Sequence, residues 1–139
     1  MADKKTFTMI KPSAFRSGYT GPILSRIEEA GFSIRALKMV QLTRNQAEHF
    51  YEMHKGKSFY DHLIEFMTSG PVIAAVLEKE NAVEEFRKLI GATDPSKSES
   101  GTLRNLYGKS LTENAIHGSD GDESAERECN IFFSFLETN

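Results

Sequence analysis

The feature that most constrains the fold is an unbroken apolar run, Val72–Leu77, which directly follows the turn residues Gly70 and Pro71. A short apolar run bounded by a turn signal is typical of a strand that is buried on both faces. Such a strand needs other elements packed above and below it. A chain of 139 residues is long enough for one domain with a real core, so we expect a single domain over residues 1–139.

The rest of the chain alternates between strand and helix patterns. Three further segments favour strands: Thr6–Ile10, Phe32–Leu42 and Ala115–His117. Five segments favour helices: Pro22–Gly31, Thr43–His54, Phe59–Thr68, Ala82–Ile90 and Asp122–Phe133. Residues 91–101 are rich in small and polar residues and are expected to form a long surface loop. This order predicts an α+β sandwich, in which helices cover a mainly antiparallel sheet.

Composition narrows the class of protein. The formal net charge is −3, whereas a dedicated nucleic-acid binder is usually basic. Cys129 is the only cysteine and is expected in the core, and no Cys/His cluster has the spacing of a zinc site. The chain has no apolar run of membrane-spanning length, and Met1–Lys5 lacks the apolar stretch of a secretory signal. The predicted location is therefore the cytoplasm.

A histidine followed by a glycine is the first candidate for chemistry, within Asn114–Asp120, which reads Asn-Ala-Ile-His-Gly-Ser-Asp. An imidazole is a good nucleophile near neutral pH, and Gly118 leaves room for an anion to approach His117. Ser119 is placed to cap the following helix, and Glu128 to hold the imidazole in one tautomer. These groups predict a histidine that accepts a phosphoryl group. A lone His-Gly pair also fits a structural histidine in a turn.

Cationic side chains near element ends form the second set of candidates. Arginine offers planar recognition of phosphate and lysine a compact charge, which favours Lys11, Arg87 and Arg104 as phosphate ligands. Arg87 also fits a simpler role, because a cation stabilises the negative end of its helix. Thr93 and Tyr51 offer hydroxyl donors, and both also fit a surface or packing role.

Phe59 is the candidate for contact with a nucleobase. It follows a Gly-Lys-Ser break between two predicted helices, which suggests a position at the edge of a cleft. An exposed aromatic ring at such an edge can stack on any base. Ordinary packing in the core is the alternative interpretation.

Five ordered motifs, spread over nearly the whole chain, resemble those of the nucleoside diphosphate kinase family. They are Thr8–Pro12, Phe66–Val72, Gly91–Pro95, Gly101–Arg104 and Asn114–Asp120. The resemblance implies a ferredoxin-like α/β sandwich with a four-stranded, mainly antiparallel sheet. It also implies transfer of the γ-phosphoryl group from a nucleoside triphosphate to a nucleoside diphosphate, by a ping-pong mechanism through a phosphohistidine.

The resemblance gives each candidate residue a role. His117 becomes the phosphohistidine, oriented by Glu128 and Ser119. The residues expected at the phosphates are Lys11, Tyr51, Arg104, Arg87 and Thr93, the first three at the terminal phosphates. The base is expected on Phe59 and the ribose at Asn114. Mg²⁺ is expected to arrive with the nucleotide and bridge its phosphates, so no dedicated metal cage is implied.

The expected partners are nucleoside triphosphates and diphosphates, without a membrane or a nucleic acid. The resemblance points to a homo-oligomer, a tetramer or hexamer built from dimers. The aromatic residues Phe132, Phe133 and Phe135 are expected to anchor the end of the chain and to favour self-association.

Two alternatives to this function remain open. One is a nucleotide-binding regulatory or assembly module of the same fold without catalysis; the other is an RNA-binding sandwich, against which the acidic balance argues.

Overall fold

A computed structural model gives the arrangement of residues 4–138, with the side chains of Phe135 and Thr138 outside the described part. Four strands form one sheet in the order β2-β3-β1-β4: β1 is Lys5–Ile10, β2 Ser33–Val40, β3 Val72–Glu78 and β4 Ile116–Gly118. All three strand pairings are antiparallel. The predicted ferredoxin-like α+β sandwich is confirmed.

Eight helices and two short 3₁₀ turns connect and cover the described strands. The helices are α1 Pro12–Arg16, α2 Thr20–Glu29, α3 Arg44–Phe50, α4 Tyr60–Met67, α5 Ala82–Ile90, α6 Leu103–Tyr107, α7 Asp122–Phe132 and α8 Phe135–Thr138. The 3₁₀ turns are Glu52–His54 and Pro95–Lys97. The capping box predicted at Thr43 and Gln46 is formed, because each side chain bonds to the other residue's backbone N–H.

Several boundaries differ from the predicted ones for physical reasons. Helix α1 was not predicted; Pro12 both ends β1 and opens α1, where its missing N–H costs nothing. Helix α2 begins at Thr20, so Pro22 lies inside its first turn. Strand β4 starts after Ala115, because a φ of 79° at that residue is left-handed and cannot continue a strand.

Apolar side chains pack against both faces of the sheet. On the first face, β1 and β3 contribute Phe7, Met9, Val72, Ala74 and Val76, which pack with α3, α4 and α7. On the second face, Ile73, Ala75 and Leu77 of β3 pack with α2 and α5. Strand β3 is therefore buried on both sides, as the apolar run predicts.

The aromatic residues near the chain end join the first face of the core. Phe133 is buried, and the ring of Phe132 stacks on Phe7 at a centroid distance of 5.1 Å. The predicted anchoring is thus confirmed for these two residues, while the side chain of Phe135 lies outside the described residues. Cys129 is buried in the same cluster, as predicted. Across residues 4–138, none of the helices has both the length and the apolarity needed to cross a membrane.

Candidate active site

A cavity of about 440 Å³ brings together nine of the ten predicted site residues. They are Lys11, Tyr51, Phe59, Arg87, Thr93, Arg104, Asn114, His117 and Glu128. The tenth, Ser119, is fully buried behind Glu128. A larger, shallower groove of about 600 Å³ lies beside the cavity and shares only Arg87 and Asp120 with it. We place the candidate site in the smaller cavity, because that is where the histidine, its carboxylate and the cations converge.

A chain of hydrogen bonds fixes the histidine ring. His117 Nε2 lies 2.8 Å from Oε1 of Glu128, and Oγ of Ser119 donates to the same oxygen at 2.7 Å. The Glu128 side chain is only 5% exposed, so its charge is little screened by water. A carboxylate so placed accepts the Nε2–H and leaves Nδ1 as the ring nitrogen available to attack an electrophile.

Ser119 does not cap helix α7, and that prediction is wrong. The N-cap is Gly121, which forms no side-chain cap hydrogen bond. Ser119 turns inward instead, where its Oγ accepts from the Phe7 N–H at 3.3 Å and donates to Glu128. The hydroxyl therefore ties the carboxylate of α7 to strand β1.

Strand pairing puts His117 at the cavity. In the register of β1 with β4, His117 lies opposite Met9, and Oγ1 of Thr8 donates to the His117 carbonyl at 2.8 Å. Gly118 serves a purpose that the sequence did not reveal. A Cβ there would lie 2.8 Å from Cδ1 of Ile90 in α5, so the glycine allows β4 to pack closely on that helix.

An aromatic wall behind the imidazole was missed by sequence reasoning. The ring of Phe50 meets His117 edge to face at a centroid distance of 5.2 Å. The end of α3 that carries Phe50 is held by Arg127, whose guanidinium donates to the His49 carbonyl at 2.7 Å and the Phe50 carbonyl at 3.4 Å. These partners lie far apart in sequence, and no local pattern points to them.

Three cations converge on the cavity without neutralisation by carboxylates. Lys11 is 6% exposed, and its ammonium donates only a long bond, 3.5 Å, to the Thr112 carbonyl. Arg104 donates to the carbonyls of Ile116 and Gly91, which fixes its guanidinium. None of the ion pairs among residues 4–138 involves Lys11, Arg87 or Arg104.

Burial makes the charges of Lys11 and Arg104 costly in the free protein. Burial, and then the charge of Arg104, lower the pKa of Lys11 to about 7. Burial, and then the charge of Arg87, lower the pKa of Arg104 to about 10. A polyanion in the cavity would neutralise the cluster and raise both values again.

Three buried polar atoms of residues that line the cavity have no hydrogen-bond partner among the described residues. One is Nδ1 of His54, and the other two belong to predicted site residues. They are the hydroxyl of Tyr51 and Oδ1 of Asn114. Burial, and then the charge of Glu128, raise the pKa of the Tyr51 hydroxyl, which therefore stays protonated and able to donate. Asn114 is held by a bond from its Nδ2 to the Thr93 carbonyl at 3.0 Å. Because an unpaired buried polar group is costly, both atoms fit a site that binds a polar ligand.

Phe59 lies at the cavity and not in the core. The residue is 43% exposed and directly precedes α4. The core-packing alternative is therefore wrong. Other residues that line the cavity were not singled out from the sequence: Met53, His54, Leu111 and Thr112. Each is ordinary for a surface loop, so composition offers no signal for them.

The fold is a ferredoxin-like sandwich, and its cavity combines a histidine held by a carboxylate with three cations. Together the fold and the site define an enzyme that acts on an anionic substrate. The chain belongs to the nucleoside diphosphate kinase family, whose pattern matches residues 4–138. The nucleoside diphosphate kinase of Flavobacterium psychrophilum is 51% identical over 134 residues, which cover 96% of both chains. That of Persephonella marina is 49% identical over 137 residues, 99% of this chain and 98% of the relative.

Solved structures are similar over nearly the whole chain. The nucleoside diphosphate kinase of Aquifex aeolicus superposes with a TM-score of 0.95 at 42% identity, covering 98% of this chain and 99% of that one. A halophilic nucleoside diphosphate kinase from Halobacterium salinarum, in complex with CDP, also gives a TM-score of 0.95. It is 39% identical and covers 99% of this chain and 91% of that one.

Proposed function

We propose that this chain transfers the terminal phosphoryl group of a nucleoside triphosphate to a nucleoside diphosphate through a phosphorylated His117. The observation that carries the proposal is the Ser119–Glu128–His117 chain of hydrogen bonds at a cavity lined by three unneutralised cations. The family and its named relatives support the same activity.

The reaction divides into two half-reactions at one nitrogen. Nδ1 of His117 attacks the γ-phosphorus, the bond from that phosphorus to the bridging oxygen breaks, and the nucleoside diphosphate leaves with the bonding electrons. Glu128 stabilises the positive charge that the ring gains, because its carboxylate accepts the Nε2–H throughout. A second nucleoside diphosphate then attacks the phosphohistidine with a terminal oxygen, and the imidazole is restored.

The cations and hydroxyls of the cavity supply the electrostatics of transfer. Phosphoryl transfer needs positioning and charge stabilisation more than covalent help from the protein. We assign Lys11, Tyr51 and Arg104 to the terminal phosphates and Arg87 and Thr93 to the inner phosphates. The unpaired Tyr51 hydroxyl and the fixed Arg104 guanidinium suit this task, because they need little reorganisation when the nucleotide binds.

We assign the nucleoside to Phe59 and Asn114. Phe59 would stack on the base, and the unpaired Oδ1 of Asn114 would accept a hydrogen bond from a ribose hydroxyl. A base held mainly by stacking can be a purine or a pyrimidine. Phosphates and ribose then supply most of the polar recognition.

We propose that a divalent cation enters this site together with the nucleotide. Among residues 4–138, no group of three or more His, Cys, Asp or Glu side chains could hold a metal ion. Asp120 and Glu128 are the carboxylates that line the cavity, and Glu128 is bonded to His117. We propose Mg²⁺ as this cation, which would need few protein ligands and would offset the negative charge of the phosphates during transfer. Asp120 is the residue that would hold it from the protein side.

We propose that the chain forms a homo-oligomer, a tetramer or hexamer built from dimers. Strand β2 is an edge of the sheet and exposes Leu37 by 48% and Met39 by 63%. An exposed apolar edge strand is a surface that another strand can cover. Phe133 is buried in its own core and Phe132 is partly buried against it, so they offer less exposed apolar surface than β2 does. A monomeric mass by light scattering at micromolar concentration would contradict the proposal.

The cytoplasmic location stays a prediction.

The test of the function is phosphoenzyme formation. The protein is incubated with γ-labelled ATP and Mg²⁺, separated from nucleotide, and treated with acid or base. We expect label that is lost in acid and kept in base, and its release as labelled triphosphate when GDP is added. A catalytically inactive module would bind nucleotide without acquiring label, and this outcome would overturn the proposal.

A further inference from the structure

We infer that Arg127 is a positioning residue for phosphoryl transfer, because its guanidinium holds residues 50–54 against α7, the helix that carries Glu128. The inference rests on the proposed function, in which His117 is the nucleophile. Arg127 is not one of the described residues that line the cavity, so its effect on the reaction passes through other groups. No sequence motif singled it out.

Three hydrogen bonds join Arg127 to the chain around the end of α3. Its Nη2 donates to the His49 carbonyl at 2.7 Å and to Oε1 of Glu52 at 2.9 Å. Its Nη1 donates to the Phe50 carbonyl at 3.4 Å. The last carbonyls of a helix lack the amide partners that earlier ones have, and a cation there is also favoured by the helix dipole. Arg127 therefore holds the chain at the point where α3 leads into residues 50–54.

Residues 50–54 bring two rings to the reacting groups. The ring of Phe50 meets the imidazole of His117 edge to face at a centroid distance of 5.2 Å. Tyr51 brings its unpaired hydroxyl to the cavity. The Phe50 and Tyr51 rings are also in contact with each other, at a centroid distance of 4.8 Å. A displacement of the backbone at residue 50 therefore moves both rings relative to the nucleophile.

On α7, Arg127 is next to the carboxylate that holds the imidazole. Glu128 follows it directly in sequence, and Oε1 of Glu128 lies 2.8 Å from Nε2 of His117. Successive residues of a helix point about 100° apart. One side chain of α7 therefore reaches the histidine while the preceding one reaches the end of α3. In this way Arg127 fixes the position of Phe50, which supports the imidazole on one side, relative to Glu128, which supports it on another.

The bonds to the two carbonyls matter more than the ion pair with Glu52. The Glu52 side chain is 58% exposed and that of Arg127 30%, and ion pairs near the surface contribute little. Oε2 of Glu52 also lies 3.7 Å from Nδ1 of His49, so this carboxylate has a second partner. Removal of the Glu52 charge should therefore leave residues 50–54 in place, whereas removal of the guanidinium should release them.

The expected effect falls on the rate of transfer more than on affinity. Without Arg127, Phe50 and Tyr51 are free to shift relative to the imidazole, and misplacement of groups around the reacting atoms slows a reaction steeply. We expect phosphorylation of His117 at saturating ATP to slow by about tenfold. The affinity for ADP should change less, because the cations Lys11 and Arg104 lie on other parts of the chain.

The experiment measures the single-turnover rate constant of phosphorylation by rapid quench, with the Kd for ADP and the melting temperature alongside. Assays are run well below melting, where the rate constant does not depend on the fraction of folded protein. The variants are Arg127→Gln, Arg127→Lys and Glu52→Gln. Arg44→Gln is the matched control, because Arg44 pairs with Glu48 within α3 at 3.2 Å, at the other end of that helix. We expect Arg127→Gln to slow the reaction, Arg127→Lys to slow it less, and the other two variants to leave the rate constant unchanged.

A double-mutant cycle with Phe50→Leu tests whether Arg127 acts through that ring. If it does, Arg127→Gln slows a Phe50→Leu protein by a smaller factor than it slows the unchanged protein, because the ring that Arg127 positions is already absent. Two independent residues would instead give the product of their separate factors, and that result would overturn the inference.

The remaining contrary results separate the inference from the proposed function. A lower melting temperature with an unchanged rate constant in Arg127→Gln would make the residue purely structural, and the proposed function would stand. An equal loss of rate in Glu52→Gln would also overturn the inference, because the carbonyl bonds would then not suffice. If the unchanged protein acquires no phosphate, the proposed function itself fails. Should Arg127→Gln not fold, Arg127→Lys with and without Phe50→Leu gives the same comparison.

Discussion

The two walls of the cavity are built in opposite ways. On the histidine wall, which holds Lys11, Arg104, His117 and Glu128, the side chains are mostly buried and held by hydrogen bonds to backbone or to one another. On the Phe59 wall, three apolar residues are exposed, by 43% to 60%: Phe59, Met53 and Leu111. This wall has ring contacts and few polar bonds.

The difference matches the two tasks that we propose. Transfer of a phosphoryl group requires fixed geometry, because small displacements of the reacting atoms lower the rate by large factors. Binding of many different bases requires a surface that presents the face of a ring and few hydrogen-bonding groups. Substitutions on the histidine wall should therefore reduce the rate, and those on the Phe59 wall should reduce affinity.

Removal of the nucleophile should give the largest effect. We expect His117→Ala to abolish phosphoenzyme formation and nucleotide exchange, because no other group replaces Nδ1. The fold should persist, since the His117 side chain borders the cavity and is 18% exposed. Label incorporation and the thermal midpoint are measured together. Label on a folded His117→Ala protein would contradict the mechanism.

The second largest effect should follow from changing Glu128, the carboxylate that supports the imidazole. Glu128→Gln removes the charge that holds the Nε2–H and stabilises the charged ring, and we expect phosphorylation to slow by about 10²–10⁴-fold. Binding of ADP should change little, because Glu128 is bonded to His117 and Ser119. Rapid-quench kinetics and calorimetry separate these two effects. Glu126→Gln, an exposed neighbour on the same helix, is the control.

Phe59→Ala tests the other wall. We expect nucleotides of every base to bind more weakly by about 1–3 kcal/mol, with little change in the free energy of unfolding. Titration with ADP, GDP and CDP measures the first quantity, and thermal denaturation the second. Unchanged affinities in Phe59→Ala would contradict the assignment of the base to Phe59.

The last predicted effect is a pH dependence of affinity through Lys11. Its pKa of about 7 means that the free site loses this charge as the pH rises above that value. Bound phosphates favour the charged form, so binding then requires proton uptake, and Kd should rise by up to about tenfold per pH unit. Calorimetry with ADP from about pH 7 to about pH 9 measures this change.

Lys11→Arg is the matched variant for that measurement. A guanidinium stays charged throughout the range, so its Kd should be nearly independent of pH. A flat profile for the unchanged protein would show that Lys11 carries no binding charge that titrates there.

The parts of the fold that were predictable depend on local pattern. Val72–Leu77 is apolar at six successive positions, and only a strand covered on both faces satisfies that run. The capping box at Thr43 and Gln46 is equally local. Helix α6 was missed because its N-cap, Thr102, lies just after a loop-like stretch with no apolar period.

The candidate site was likewise predictable only where it depends on local sequence. The His-Gly-Ser-Asp motif and the family resemblance pointed to the ten candidate residues, but the purposes of Ser119 and Gly118 depend on distant partners. Ser119 bonds to Phe7, 112 residues away, and Gly118 is small because α5 packs on it. Phe50 and Arg127 meet across 77 residues. Contacts of this kind arise from tertiary packing, which no sequence window contains.

The pairing of β1 with β4 also decides when the site can form. Thr8 and the His117 carbonyl meet across 109 residues, and α7, which follows β4, carries Glu128. During synthesis, Lys11 leaves the ribosome before β4 and α7, so its surroundings are complete only after these two elements have emerged. Long-range pairings of this kind close late in folding, because the entropy of the intervening loop must first be overcome. The proposed catalytic centre therefore cannot assemble before β4 and α7 have packed on β1.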